Sequence, residues 1–222
     1  MNYRYVSIHT ALVAALTAVA SPRAIAQAYN YPSFQPPRVV EREFNFALAD
    51  GGSLGTALVF QWREGASTGN QLSLDAGFAD PEANGANNVF FIGGQFAHLL
   101  PNRRADLPLD FLLTAGAGLA SGNDARIVRF PVGVSVGHRF PLEGGLALTP
   151  YVHPRVALNI CSDCGARGNS ESDLGIDFDL GVSFEINRQI DLRLSGKFGG
   201  GDFFDQDAFG ISLAWSPPSV RR

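Results

Sequence analysis

Residues 173–199 read DLGIDFDLGVSFEINRQIDLRLSGKFG, and their spacing decides the fold. Leu174, Ile176, Phe178, Leu180, Val182, Phe184 and Ile186 take every second position, with Asp173, Gly175, Asp177, Asp179, Gly181, Ser183 and Glu185 between them. Beyond Asn187–Gln189 the alternation resumes, Ile190, Leu192, Leu194 and Phe198 against Asp191, Arg193, Ser195 and Lys197. An amphipathic helix repeats its apolar residues every three to four positions, whereas a period of two is that of a strand with one apolar and one polar face. A three-residue connection makes the pair a hairpin centred on Arg188. That centring puts Asp179 opposite Lys197, Ser183 opposite Arg193, and Glu185 opposite Asp191, a like-charge pair that Arg193 on the diagonal relieves.

The same period extends in both directions. Toward the C-terminus, Phe209, Ile211, Leu213 and Trp215 alternate with Ala208, Gly210, Ser212 and Ala214. Toward the N-terminus, looser segments occupy 43–49, 53–63, 70–79, 88–98, 109–119, 126–139 and 146–160. With 173–187, 190–199 and 207–216 this predicts an all-β chain, a closed antiparallel up-and-down barrel of ten strands. Eight remain if 44–48 is not a strand and another segment merges. Most segments are about ten residues, the length of a tilted membrane-spanning strand. The connections 80–87, 121–125, 160–172 and 200–206 are polar and glycine-rich, while 141–145 and 187–189 are tight. Long loops at one end and short turns at the other are the pattern of a transmembrane barrel. The short connection 50–52 and the long one 99–108 depart from it.

The polar face carries Asp75, Asp110, Arg129, Arg139, His153, Arg155, Asp177, Asp179, Glu185, Arg193 and Lys197. So much charge is costly inside a small soluble protein. With that face inward and the apolar face in lipid, Arg129, His153, Arg155, Asp177, Asp179, Arg193 and Lys197 are expected to form a charge network in a narrow lumen, with structural neutralisation as its role. Phe60, Trp62, Phe96, Phe140, Phe184 and Trp215 toward one end, and Phe78, Phe90, Phe130, Phe198 and Phe209 toward the other, read as interfacial girdles. His138 shares the lipid-facing parity.

Export is written at the start. Arg4, the apolar run 11–20 and Ala24-Ile25-Ala26 read as a signal peptide, 1–26, cleaved after Ala26. The run is too short to span a bilayer as a helix, which needs about 20 residues. No cysteine follows the cleavage site for lipid attachment. Loss of Arg4 and Arg23 from 17 basic residues, against 21 acidic ones, leaves a formal charge of −6. Such a surface gives no footprint for nucleic acid. Residues 27–42, with Pro32, Pro36 and Pro37, read as an irregular lead-in, a periplasmic tail. The barrel then occupies 43–216 and a polar tail 217–222.

The last strand, Ala208-x-Gly210-x-x-Leu213-x-Trp215, resembles the C-terminal assembly signal of bacterial outer-membrane β-barrels, although SPPSVRR follows Trp215. The resemblance, to small outer-membrane β-barrel-domain proteins, covers about 43–216. It implies residence in the outer membrane among its lipids, and recognition of Gly210, Leu213 and Trp215 by the barrel-assembly machinery.

Candidates for chemistry are few. Cys161-Ser-Asp-Cys164 lies in an apparent outer loop and reads as a local disulfide in an exported protein. It lacks the βαβ context of a redox pair and the further ligands of a zinc site. His153 points inward beside Arg155, with Pro150 and Pro154 marking bends or bulges. No serine near it in sequence makes a nucleophile–base pair, though Ser183 or Ser135 lies within reach across strands. Gly93-Gly94 and Gly199–Gly201 precede no helix and form no nucleotide loop. No cofactor is expected. The leading expectation is a structural, surface-interaction or narrow-passage barrel without catalysis, with any extracellular ligand at the outer loops unknown. The alternatives are a barrel-embedded hydrolase of lipid or peptide, and a soluble lipocalin-like barrel. The last requires its apolar face inward.

Overall fold

A computed structural model describes residues 29–82, 88–101, 108–122, 125–162, 170–201 and 206–218. The expected signal peptide 1–26, Cys164, the end of the expected polar tail and parts of several connections lie outside these. The described strands are β1 (Arg42–Asp50), β2 (Thr56–Ser67), β3 (Asn70–Asp80), β4 (Val89–Leu99), β5 (Asp110–Gly122), β6 (Ala125–Gly137), the two-residue β7 (Phe140–Pro141), β8 (Ala147–Ser162), β9 (Glu171–Glu185), β10 (Ile190–Gly199) and β11 (Ala208–Trp215). Consecutive strands pair antiparallel except β6 and β7, β6 pairing with β8 instead, and β1 meets β11 from Phe44↔Trp215 to Asp50↔Phe209. The sheet is therefore closed. Ten strands are its staves, and β7 only pairs alongside the first residues of β8, Phe140↔Leu148 and Pro141↔Ala147. The segment on which the strand number turned, 44–48, is the closing partner.

The hairpin that opened the sequence reading has the expected register: Asp179↔Lys197, Ser183↔Arg193 and Asp191↔Glu185. Its turn is fixed locally, because the Asn187 side-chain carbonyl accepts from the backbone N–H of Gln189 (2.8 Å) and Ile190 (2.9 Å). On β9, Leu174 is 65% and Ile176 68% exposed, while Asp177 and Asp179 are fully buried. The same inversion holds around the ring, with Phe46, Leu72, Phe90, Val132, Phe209 and Trp215 among the exposed side chains. An apolar outside around a charged inside suits hydrocarbon as the solvent, and closure leaves no strand edge unpaired there. A lipocalin-like arrangement has the opposite parity.

Pro150 and Pro154 do not bulge the strand. The β8–β9 ladder runs unbroken from Ala147↔Glu185 to Cys161↔Glu171. The missing N–H is absorbed on the other side, where pairing of β6 with β8 skips from Gly133↔Arg155 to Val136↔Val152.

The lead-in is not a periplasmic tail. Residues 29–37 lie inside the barrel, and Tyr31 and Phe34 are fully buried there. Three prolines deny this segment a place in a ladder. A lumen lined with donors and acceptors can pair its backbone instead.

Candidate functional site: the lumen and the segment that fills it

Two ionic clusters line the lumen. In the half nearer the short turns, Glu43 on β1 receives both guanidinium nitrogens of Arg193 on β10 (2.9 and 2.5 Å) and one of Arg63 on β2 (2.7 Å). Arg193 also donates through Nε to Asp191 (2.8 Å), which accepts from Ser183. In the middle and loop-side half, Arg155 donates to Asp179 (2.7 Å), Arg129 pairs with Asp177, and the Lys197 ammonium stands 3.6 Å from Asp177. Six of the seven expected residues thus form one cluster, Arg129, His153, Arg155, Asp177, Asp179 and Lys197. Arg193 belongs to the other. Glu43 and Arg63 were open to the parity argument, as they alternate with Phe44 and Trp62. Ser33 was not, since its segment has no period.

The inserted segment is gripped by these clusters. Arg63 donates to the carbonyls of Ser33 (3.1 Å) and Phe34 (3.0 Å), and Arg193 to that of Phe34 (3.1 Å). Phe34 has a φ of 49°, the sole positive value among described non-glycine residues. A left-handed phenylalanine costs about 1–2 kcal/mol, which the two charged donors on its carbonyl offset. Ser135 donates to the Gln35 carbonyl (2.6 Å), and Tyr31 to Asp75 (3.2 Å). Toward the loops, Phe91 stacks on both Tyr29 and Tyr31, with centroids 5.5 and 5.1 Å away. The Tyr29 hydroxyl donates to the Leu54 carbonyl (2.7 Å). At the turn-side mouth Arg38 pairs with Glu185 (2.5 Å) and Asp191 (2.7 Å). It also lines a surface cleft of about 1350 Å³ with Arg42, Glu64 and Arg188. Arg139, outside the strands, is held above its usual pKa by its hydrogen bonds to Glu185.

Gly210 acquires a role beside the resemblance that singled it out. A Cβ there would lie 2.7 Å from the Phe34 ring and 2.8 Å from the Leu48 carbonyl, so the glycine is the seat of Phe34. Gly210→Val is expected to lower stability by about 1–3 kcal/mol, the range for overpacking. Urea titration of the refolded barrel checks it, and an unchanged midpoint would contradict the seating.

Ser33, His153 and Asp179 meet in the lumen, an association that chain order did not reveal. The Ser33 hydroxyl donates to Asp179 (2.5 Å) and lies 2.8 Å from His153 Nδ1, while Thr114 Oγ1 is 2.9 Å from His153 Nε2. With the Ser33 hydroxyl donating to Asp179, Nδ1–H is the donor to Ser33, and in a neutral imidazole Nε2 then accepts from Thr114. In a nucleophilic triad the imidazole stands between hydroxyl and carboxylate and takes the hydroxyl proton. Here the hydroxyl stands between, and Nδ1 is already protonated. The arrangement pins the segment to the wall. Ser183 bonds Asp191 and Ser135 bonds the Gln35 carbonyl, so neither expected cross-strand serine engages the imidazole. Cys161 is buried at the loop-side end of β8. Its expected pairing involves Cys164, outside the described residues.

The architecture has solved counterparts. The β domain of the Bordetella autotransporter BrkA superposes with a TM-score of 0.50 at 12% identity, covering 79% of this chain and 98% of that one. The NanC porin gives 0.44 at 10% identity, over 79% and 99%. Neisserial surface protein A gives 0.29 at 16%, over 78% and 91%. At 12% identity the likeness to the BrkA domain is one of fold alone, a closed antiparallel β-barrel. No protein-family model matches the chain, and no curated protein matches its sequence.

Proposed function

We propose that this outer-membrane β-barrel is a closed element with a structural and surface-interaction role and no catalysis, its lumen sealed by its own residues 29–37. One observation carries the reading: Tyr31 and Phe34 are fully buried where a passage would run. A narrow-passage role fits poorly, because the segment's carbonyls and the wall's arginines already satisfy one another. Hydrolysis at His153 is disfavoured by the hydrogen-bond order around Ser33, and a lipocalin-like role by a polar interior. The same reading includes recognition of β11 by the barrel-assembly machinery. Trp215 stands outward on the closing seam, stacked on Phe44 at 5.7 Å, where a docking partner could reach it before closure.

Planar-bilayer recording of the purified barrel, alongside assays on phospholipid, ester and peptide substrates, tests the proposal. Membranes should stay electrically silent and all substrates intact. Steady conductance would replace the closed reading with a passage. Turnover abolished by Ser33→Ala would replace it with a hydrolase.

A further inference from the structure

We infer that the chain is threaded: it enters the barrel at the loop-side mouth, crosses the lumen, leaves at the turn-side mouth and only then begins β1, so that Tyr29, the N-terminal end of the inserted segment, is presented at the cell surface. The surface assignment rests on the reading above, in which the loop end faces outward.

Contacts fix the direction. Tyr29 bonds the carbonyl of Leu54, in the β1–β2 connection, and the Asn30 amide donates to the carbonyl of Gln206, in the β10–β11 connection (3.2 Å). Both connections belong to the loop end. Ser33, at mid-depth, is held by Asp179 through its backbone N–H (2.9 Å) and its hydroxyl. Arg38 reaches Glu185 and Asp191, which flank the tight β9–β10 turn at the opposite end. From Tyr29 to Arg38 an extended chain advances roughly 3.3 Å per residue, or about 30 Å, the thickness of the hydrocarbon core. The segment therefore has the length to span, and its two ends lie at opposite mouths. A return path is closed by the same packing, since Tyr31 and Phe34 are fully buried and the wall charges around them are paired. The barrel thus holds the N-terminal end of its inserted segment, Tyr29 and Asn30, at the loop-side mouth.

The experiment places an epitope between Ala28 and Tyr29 of the full chain and compares it with two cysteine markers, each introduced singly into a Cys161→Ser, Cys164→Ser background. Ser170→Cys marks the loop end and Arg188→Cys the turn end, both at exposed positions. On intact bacteria, antibody should bind the epitope and an impermeant maleimide should label Ser170→Cys, whereas Arg188→Cys should react only after the outer membrane is permeabilised. An epitope that tracks with Arg188→Cys overturns the threading. An epitope and Ser170→Cys both hidden, with Arg188→Cys reactive, overturns the outward orientation and leaves the threading intact. If the epitope blocks assembly, an impermeant amine reagent on the untagged exported chain, read from its N-terminal peptide by mass spectrometry, gives the same comparison.

Discussion

Replacing Glu43 by glutamine is expected to lower the stability of the refolded barrel by about 3–5 kcal/mol, the range for removing one partner of a buried ion pair. The glutamine keeps the size of the side chain and removes only its charge. Arg63 and Arg193, both buried, then face each other across an amide, and Arg38 loses an anion 3.6 Å away. Asp191 still neutralises Arg193, but among the described residues Arg63 has no second ion-pair partner, Asp75 acting on it only at longer range. The inserted segment should loosen as well, because the same two arginines hold the Phe34 carbonyl. Urea unfolding followed by heat-modifiable electrophoresis reads the loss. The internal control is Arg42→Gln, which breaks an exposed rim pair with Glu64 (2.6 Å) and should cost below about 1 kcal/mol. Equal, small effects at both sites would mean that lumen water solvates the arginines and that the cluster is not dry.

How much of this was legible depended on periodicity. The β9–β10 hairpin was readable in full, since seven alternating apolar residues and a three-residue turn determine face and register together. The charge network followed from the same parity, and even Glu43 could have been assigned from its place beside Phe44. The inserted segment was invisible for a physical reason. Tyr29 to Arg38 has no repeating face, because it contacts the wall on all sides and takes its partners from β1, β2, β3, β4, β6, β8, β9, β10 and β11. Prolines in a polar stretch read equally well as a tail. The meeting of Ser33 with His153 and Asp179 therefore could not be foreseen from spacing. Gly210 shows the converse: it was noticed for its place in a C-terminal motif, and its contact with Phe34 gives it a packing role that the motif did not suggest.

The second large effect concerns that segment. Deleting residues 29–37 while keeping Arg38 is expected to turn an electrically silent barrel into a conducting one. Ten staves enclose more space than wall side chains alone fill, since eight already leave an interior that side chains just occupy. In the intact chain the difference is made up by Tyr31, Phe34 and Gln35. Without them Asp179 loses the Ser33 donors, Arg63 and Arg193 lose the Phe34 carbonyl, and water must enter to hydrate these groups. A hydrated file of charges of both signs is a path for small ions. Because the deletion also removes the hydrogen bonds that tie opposite walls together, a milder variant, Tyr31→Ala with Phe34→Ala, keeps the backbone thread and should give a smaller current. The phenylalanine alone is worth about 3–5 kcal/mol as a buried ring, less whatever water recovers in the vacated space. Single-channel recording of parent, double variant and deletion should therefore show current in the order none, small, larger. A deletion barrel that folds, shows its heat-modifiable shift and still does not conduct would mean that the wall side chains collapse inward to close the lumen, and that the segment is a brace and not the seal.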